Sequence, residues 1–125
     1  MAKFHVPKNS SLLRSAVTAA TGLVNAIRTE KKIRQVVLAA AAVTGLCVVA
    51  DVGYFQILMV IFSWVLSLIC EMFNTALEKA LDYASGKEFD PLVRAGKDYA
   101  GACTFIALTF ALILALSVLL DVLRR

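Results

Sequence analysis

The chain has few of the residues that hold soft metals or form disulfide bonds. It contains a single histidine, His5, and three cysteines, none of which belongs to a Cys-x-x-Cys pair. Cys47, Cys70 and Cys103 fall in apolar segments, so we expect them to be buried free thiols. These shortages argue against a zinc site and against a disulfide framework.

Three long stretches of the sequence have little or no charge. Hydrophobic residues make up 60% of the chain, and the mean hydropathy is +0.79, far above that of soluble domains. The apolar residues form blocks rather than the periodic stripes of a soluble helical bundle, and such blocks are typical of membrane spans. The sequence therefore predicts an all-α integral membrane protein with one domain over residues 1–125. We expect membrane helices at 33–50, 54–83 and 98–121. A loop is predicted at 84–97, because this segment contains the helix-breaking pair Asp90-Pro91.

The segment before the first span is amphipathic. Between about residues 10 and 29, apolar residues recur on one helical face and polar residues lie mostly opposite, so we expect a helix on the membrane surface. Lysine and arginine concentrate before residue 36 and around the 84–97 loop, and are absent from the Asp51-Val52-Gly53 turn. The positive-inside rule therefore predicts that the N-terminus and this loop are cytoplasmic.

Common nucleotide-binding and catalytic motifs are also missing. The sequence has no Walker A loop, no kinase-type glycine loop and no serine nucleophile elbow. The net charge of +4 reflects the membrane-flanking bias, because no basic patch is interleaved with aromatic residues, and we expect no nucleic-acid partner. Any nucleotide chemistry has to use a different architecture.

Polar side chains occur instead at the end of the second apolar run. Glu71, Asn74, Glu78 and Asp82 follow one another at helical spacing and share a stripe roughly 80° wide and about 16 Å long. A carboxylate at this position is costly unless it faces protein, water or a metal. The stripe therefore indicates a site for Mg²⁺ binding and proton transfer. The alternative, a solvated helix end, accounts for Glu78 and Asp82 but explains Glu71 poorly.

Two further groups of residues would contribute to this site only if the fold brings them to the stripe. Glu30 lies between the surface helix and the first span, where a charge is ordinary, but beside Glu78 it would complete a Mg²⁺ site. Lys97 and Asp98 open the last span. Asp98 can simply favour the helix dipole, or the pair can hold phosphate oxygens. Ser67 lies close to the stripe's face, which extends the polar groove towards the membrane interior.

The order and spacing of these residues resemble those of a known family. The segment 71–78 (Glu-Met-Phe-Asn-Thr-Ala-Leu-Glu), followed by Asp82 and then by the Lys97-Asp98 pair, is similar to the signature of the small bacterial membrane lipid kinases. These comprise diacylglycerol kinase and undecaprenol kinase. Glu30 and Arg34-Gln35 also fit in order, and the resemblance covers residues 20–115.

The resemblance implies an enzyme of the bacterial cytoplasmic membrane that uses ATP and Mg²⁺ to phosphorylate a lipid alcohol. It also implies a homotrimeric bundle with active sites shared between subunits. By the same resemblance, Glu71 is the general base, and Glu30 and Glu78 bind Mg²⁺. The residues implied for ATP and its phosphates are Asn74, Asp82, Lys97, Asp98 and Glu88, and those implied for the lipid are Ser67, Arg34 and Gln35.

The sequence departs from the family pattern at two places that bear on the nucleotide. Ile33 stands where many members have an aromatic residue, and the loop reads Glu88-Phe89-Asp90 where Glu-aromatic-His is common. We therefore expect adenine stacking and base selectivity to differ. The Arg34-Gln35 pair favours diacylglycerol as the acceptor, and undecaprenol is the alternative.

Two other classes of protein compete with a kinase. A small proton-coupled transporter would use Glu71 as its coupling carboxylate, but would place that acid near the middle of a span. It would also have no use for Asp82 or Lys97-Asp98 outside the bilayer. A non-catalytic membrane subunit leaves the carboxylate stripe unexplained.

Overall fold

Four helices make up most of the described chain. The computed structural model describes residues 11–86 and 88–125, and its helices are α1 (Leu12–Thr29), α2 (Lys31–Val49), α3 (Tyr54–Ala84) and α4 (Pro91–Leu123). Helices α2, α3 and α4 are long and apolar enough to cross a membrane. The predicted all-α architecture, an amphipathic helix followed by three membrane helices, is confirmed.

Helix α1 lies apart from the core. The Ser11 hydroxyl caps its first turn, and at its other end Glu30 leaves the helical region with φ −102° and ψ 115°. No residue of α1 is buried, as expected for a helix that rests on a membrane surface. Ser10, where the sequence predicts the helix to begin, and His5 both lie outside the described residues.

A tight turn joins α2 to α3, where the sequence predicts one at Asp51-Val52-Gly53. Asp51 adopts a left-handed conformation with φ 53°, which aspartate tolerates better than a branched residue does. The buried Val52 donates its N–H to the Cys47 carbonyl oxygen at 3.1 Å. From this turn α3 runs without interruption for 31 residues.

Helix α3 is central and packs against α2 and against α4. On α4, buried alanines recur every four residues at Ala107, Ala111 and Ala115, and small residues at this spacing let two membrane helices approach closely. Val60 and Trp64 of α3 belong to the same core cluster as Ala111. The inner face of α3 is thereby covered by both neighbours.

All three cysteines, each within the described residues, are free, but they differ in burial. Cys47 is buried, Cys70 is half-buried and Cys103 is exposed. The expectation of burial is therefore wrong for Cys103. The reason is that two open cavities of about 350 Å³ each lie between α3 and α4, and Cys70 and Cys103 line both of them.

Helix α4 begins at Pro91, so the loop predicted at 84–97 is too long. The Asp90 Oδ1 atom accepts hydrogen bonds from the N–H groups of the two residues after Pro91, at 2.7 and 3.4 Å. Proline suits the first turn because the missing N–H has no partner there in any helix. The Asp90-Pro91 pair therefore starts a helix rather than breaking one. Lys97 and Asp98 lie in the second turn of α4.

Removal of the Asp90 cap should destabilise α4. In Asp90→Ala the two backbone N–H groups lose their acceptor, so we expect the free energy of unfolding to fall by about 1 kcal/mol. Thermal unfolding of the purified protein in detergent would show this as a lower midpoint. Asp90→Ser keeps a capping oxygen and should retain most of the midpoint. Equal midpoints for Asp90→Ala and the wild type would show that α4 does not depend on this cap.

Candidate functional site

The inner face of α3 carries four buried polar side chains. Ser63 and Ser67 are each 1% exposed, and Glu71 and Asn74 are each 4% exposed. The serine hydroxyls donate to backbone carbonyl oxygens about one turn earlier, at 2.7 Å from Ser63 and 3.1 Å from Ser67. The serines are thus satisfied within the helix. The carboxylate and the amide remain as the groups that need other partners.

Two buried oxygen atoms on this face of α3, Glu71 Oε1 and Asn74 Oδ1, accept no hydrogen bond from residues 11–86 or 88–125. The Asn74 amide does reach along the stripe, because its Nδ2 atom donates to Glu78 Oε1 at 3.3 Å. A buried oxygen without a donor costs about 1–3 kcal/mol of desolvation. Such atoms are rare in folded proteins and call for a specific explanation, for which a ligand is a natural candidate.

A cavity of about 390 Å³ opens beside Glu71, between the three membrane helices. We call it the apolar cavity. Helix α2 contributes Lys32 and Gln35 to its lining, α3 contributes Trp64 and Glu71, and α4 contributes Leu108. Its walls are mainly apolar and include a single carboxylate, a combination that suits an amphiphile with one polar end. Gln35, which the resemblance assigns to the lipid, is therefore at the same cavity as Glu71.

A second cavity, of about 520 Å³, lies where α3 connects to α4. We call it the charged cavity. Four of the five residues predicted to bind ATP and its phosphates line it: Asp82, Glu88, Lys97 and Asp98. Its volume is in the usual range of small-molecule sites. The fifth, Asn74, does not line it and lies on the buried part of the stripe instead.

An ion pair fixes the charged cavity between the two helices. Lys97 Nζ donates a hydrogen bond to Asp82 Oδ1, which links α4 to α3. Arg94 lies 4.0 Å from Asp98, one turn along α4, and also lines the cavity. The cavity thus presents two cations beside four carboxylates, one of which, Asp90, caps α4, and cations in this position are suited to phosphate oxygens.

Glu30 reaches α3, although not at the predicted partner. Its Oε1 atom lies 2.6 Å from Nζ of Lys79, the residue that follows Glu78. Because the break between α1 and α2 falls at Glu30, its side chain extends from the junction to the end of α3. The structure therefore brings Glu30 close to the stripe, where its carboxylate pairs with a lysine.

The part of the chain that the structure describes contains no group of three His, Cys, Asp or Glu side chains that could hold a metal alone. Mg²⁺, however, commonly takes one or two protein carboxylates and completes its shell with water and substrate phosphates. The Asn74 Oδ1 atom and the Glu78 carboxylate supply hard oxygen donors beside each other. The donor set therefore fits a Mg²⁺ ion that arrives with a nucleotide.

Two residues that the resemblance assigns to the lipid are engaged elsewhere. Arg34 Nη1 donates to the carbonyl oxygens of Ile27 and Arg28, at 3.4 and 3.2 Å, and so closes the end of α1. The Ser67 hydroxyl hydrogen is used within α3. Neither side chain lines the apolar cavity as Gln35 does.

Sequence reasoning passed over three residues at these sites. Trp64 lines the apolar cavity and precedes Glu71 by seven residues, so helical periodicity alone places both on one face. Arg94 lies in the segment that the sequence predicts as loop, so its place on α4, one turn before Asp98, is not expected from the sequence. Lys79 carries no local signal, since its pairing with Glu30 depends on how α1 and α2 fold back onto α3.

Fold and site together define a multi-pass helical membrane protein in which a buried carboxylate adjoins an apolar cavity and a charged cavity lies further along the same helix. Residues 17–119 match the family of prokaryotic diacylglycerol kinases. The chain belongs to that family, as its sequence predicts. It is therefore a phosphotransferase that acts on an alcohol acceptor, and a kinase of this kind uses ATP as co-substrate.

Individual relatives agree with the family. The chain is 31% identical over 114 residues to a diacylglycerol kinase of Helicobacter pylori, with 88% of each chain covered. It is 32% identical over 98 residues to a diacylglycerol kinase of Pseudomonas aeruginosa, covering 78% of this chain and 79% of the relative. Membership in an enzyme family favours the kinase prediction over a transporter or a non-catalytic subunit.

Proposed function

We propose that this protein transfers the γ-phosphate of ATP to the free hydroxyl of diacylglycerol in a Mg²⁺-dependent reaction, which yields phosphatidic acid. The observation that carries the proposal is the buried Glu71 carboxylate, whose Oε1 has no donor within the described residues and which lines an apolar cavity. Such a carboxylate suits the hydroxyl of a lipid. Undecaprenol, another membrane alcohol, is the alternative acceptor for the same group.

Glu71 is the group that we assign to the attacking hydroxyl. As the hydroxyl oxygen bonds to the γ-phosphorus, its proton passes to the Glu71 carboxylate. The bond between the γ-phosphorus and the bridging oxygen breaks, and ADP leaves. The apolar walls around Glu71 keep water from competing with the lipid for the phosphoryl group.

The charged cavity is the position that we assign to ATP. Lys97 and Arg94 balance phosphate charge there, and Asp82 holds Lys97 in place. Glu88 and Asp98 also line this cavity. Asp90 stands where the family commonly has histidine, and its carboxylate is used to cap α4. This supports the expectation that base selectivity differs from that of other members.

Glu30 and Glu78 are the carboxylates that we assign to Mg²⁺, with Asn74 beside them. When bound, the ion would neutralise charge on the phosphates that the nucleotide brings. To bind the ion, the Glu30 carboxylate has to give up its ion pair with Lys79, so Lys79 competes with Mg²⁺ for this carboxylate. Glu78 already lies next to the unsatisfied Asn74 oxygen.

Assembly and orientation also belong to the proposal. We assign the protein to the bacterial cytoplasmic membrane, with the charged cavity towards the cytoplasm, on the basis of its lysine and arginine distribution. We assign it a homotrimeric state. The supporting observation is that large apolar side chains are exposed on all three membrane helices, which leaves ample surface for neighbouring subunits as well as for lipid.

Loss of the Glu71 carboxylate should greatly slow phosphate transfer but leave ATP binding nearly intact. Glu71→Gln keeps the shape but cannot take up the proton, so kcat should fall by at least roughly 10²-fold while ATP binding stays nearly intact. The assay is phosphate transfer from labelled ATP to diacylglycerol, undecaprenol and ceramide in parallel.

Ser63→Ala, a buried change on the same face, is the control and should retain turnover. Near-normal turnover in Glu71→Gln would remove this residue from the mechanism, and a wild type inactive on every lipid would contradict the function.

A shared Mg²⁺ ion should couple Glu30 to Glu78. Glu30→Ala and Glu78→Ala should each weaken Mg-ATP binding in calorimetry, and the double variant should lose much less than the sum of the two. Lys79→Met is the matched control, because it frees Glu30 without removing a carboxylate. It should leave Mg-ATP binding unchanged or tighter. Independent, additive losses from the two glutamates would argue against one ion between them.

The trimer can be tested by mass. Light scattering corrected for bound detergent should give three chains per particle for the purified, active protein. A mass of one chain with full kinase activity would rule out sites shared between subunits.

A further inference from the structure

The only tryptophan of the chain, Trp64, lies at the cavity that Glu71 lines. Its side chain also lines an adjoining cavity of about 320 Å³ between α2 and α3. Trp64 is 2% exposed, and its Nε1 atom donates to no acceptor in the described parts of the chain. A buried indole N–H normally has a hydrogen-bond partner, so this donor lacks the compensation that its burial requires.

Among the fully buried side-chain atoms described at the apolar cavity, one donor and one acceptor lack a hydrogen-bond partner. Lys32 and Gln35 also line the cavity, but their side-chain atoms are not among these buried atoms. The donor is the indole N–H of Trp64, and the acceptor is Glu71 Oε1. The two residues are seven apart on α3, which places them on one face about 10.5 Å apart along the helix axis. Both side chains lean towards the N-terminal end of the helix, so the carboxylate and the indole keep about this separation along the axis.

This pair of groups distinguishes between the two lipid classes that the proposed function leaves open. Diacylglycerol carries a free hydroxyl, which can donate, and ester carbonyls on the neighbouring glycerol carbons, which can accept. A polyprenol carries a hydroxyl at the end of a hydrocarbon chain and has no carbonyl. Both alcohols satisfy Glu71, but only the acylglycerol also satisfies an N–H donor along the same face.

We infer that the Trp64 N–H donates a hydrogen bond to an ester carbonyl of the lipid and thereby selects acylglycerols over isoprenoid alcohols. The inference rests on the proposed function, because it assumes that the lipid hydroxyl meets Glu71. Because Nε1 is closed to solvent in the lipid-free chain, the contact requires the indole to turn towards a lipid that enters the cavity. Trp64 is thus a positioning and specificity residue rather than a proton-transfer group.

The decisive comparison uses two lipids that differ only at the carbonyls. Dioleoylglycerol and its dialkyl ether analogue have the same hydroxyl and the same chain length, but the ether lacks the ester carbonyls. The wild type should phosphorylate the ester with a kcat/KM about tenfold higher or more, because the ether leaves a buried N–H unpaired. In Trp64→Phe, kcat/KM for the ester should fall to the ether value, while kcat/KM for the ether and for undecaprenol should not change.

Fluorescence supplies a readout that needs neither turnover nor a variant. Because Trp64 is the only tryptophan, the emission of the wild type without ATP reports on this indole alone. A hydrogen bond to the indole N–H shifts emission to longer wavelength. Dioleoylglycerol in mixed micelles should therefore shift the emission maximum, whereas the ether analogue should shift it less or not at all.

The possible outcomes distinguish a failure of this inference from a failure of the proposed function. If the wild type phosphorylates ester and ether equally, or if Trp64→Phe lowers both equally, the N–H contact is refuted while the lipid kinase stands. Equal emission shifts with the two lipids would refute the contact even if Trp64→Phe failed to fold. If no lipid is phosphorylated, the proposed function fails, and fluorescence still decides whether the indole meets an ester.

Discussion

The burial of one carboxylate in an apolar helix constrains the rest of this structure. Glu71 is 4% exposed, and its polar neighbours on α3 are already engaged: Ser67 with its own helix and Asn74 with Glu78. A buried carboxylate needs donors or cations to offset its lost hydration. The described residues leave its Oε1 without a hydrogen-bond donor, and Lys32 of α2 is the cation at the same apolar cavity. A direct donor to Oε1 is therefore left for a ligand to supply.

Most of the fold could be predicted because its determinants are local. Apolar blocks mark α2, α3 and α4, and a period of 3.6 residues places Glu71, Asn74, Glu78 and Asp82 on one stripe. The start of α4 was misplaced because Asp90-Pro91 is read equally well as a break or as a cap followed by a first turn. Only the hydrogen bonds that the N–H groups after Pro91 donate to the Asp90 carboxylate decide between the two.

The candidate site was predictable as a set of residues but not as a set of contacts. The family signature names Glu30, Arg34 and Lys97, but says nothing of the side chains that they contact here. Glu30 pairs with Lys79 because the junction between α1 and α2 lies against α3, and this pairing of residues 49 apart in sequence depends on tertiary structure, which no pattern of spacing encodes. Arg34 caps the end of α1 because the chain leaves the helical conformation at Glu30, a local contact that the family signature does not indicate. Trp64 was missed for a different reason, since an aromatic residue in a membrane span is ordinarily packing.

The uninterrupted length of α3 ties the enzyme to the thickness of its membrane. A helix of 31 residues is about 46 Å long, whereas the hydrocarbon layer is about 30 Å thick. Glu71 lies 17 residues after Tyr54, or about 26 Å along the helix, close to where the hydrocarbon ends when the turn between α2 and α3 lies at the other surface. Diacylglycerol holds its hydroxyl at the same boundary. If the lipid hydroxyl meets Glu71 as proposed, a thicker bilayer would carry that hydroxyl past the carboxylate and a thinner one would leave it short. The length of α3 before Glu71 would then match the site to a bilayer of one thickness.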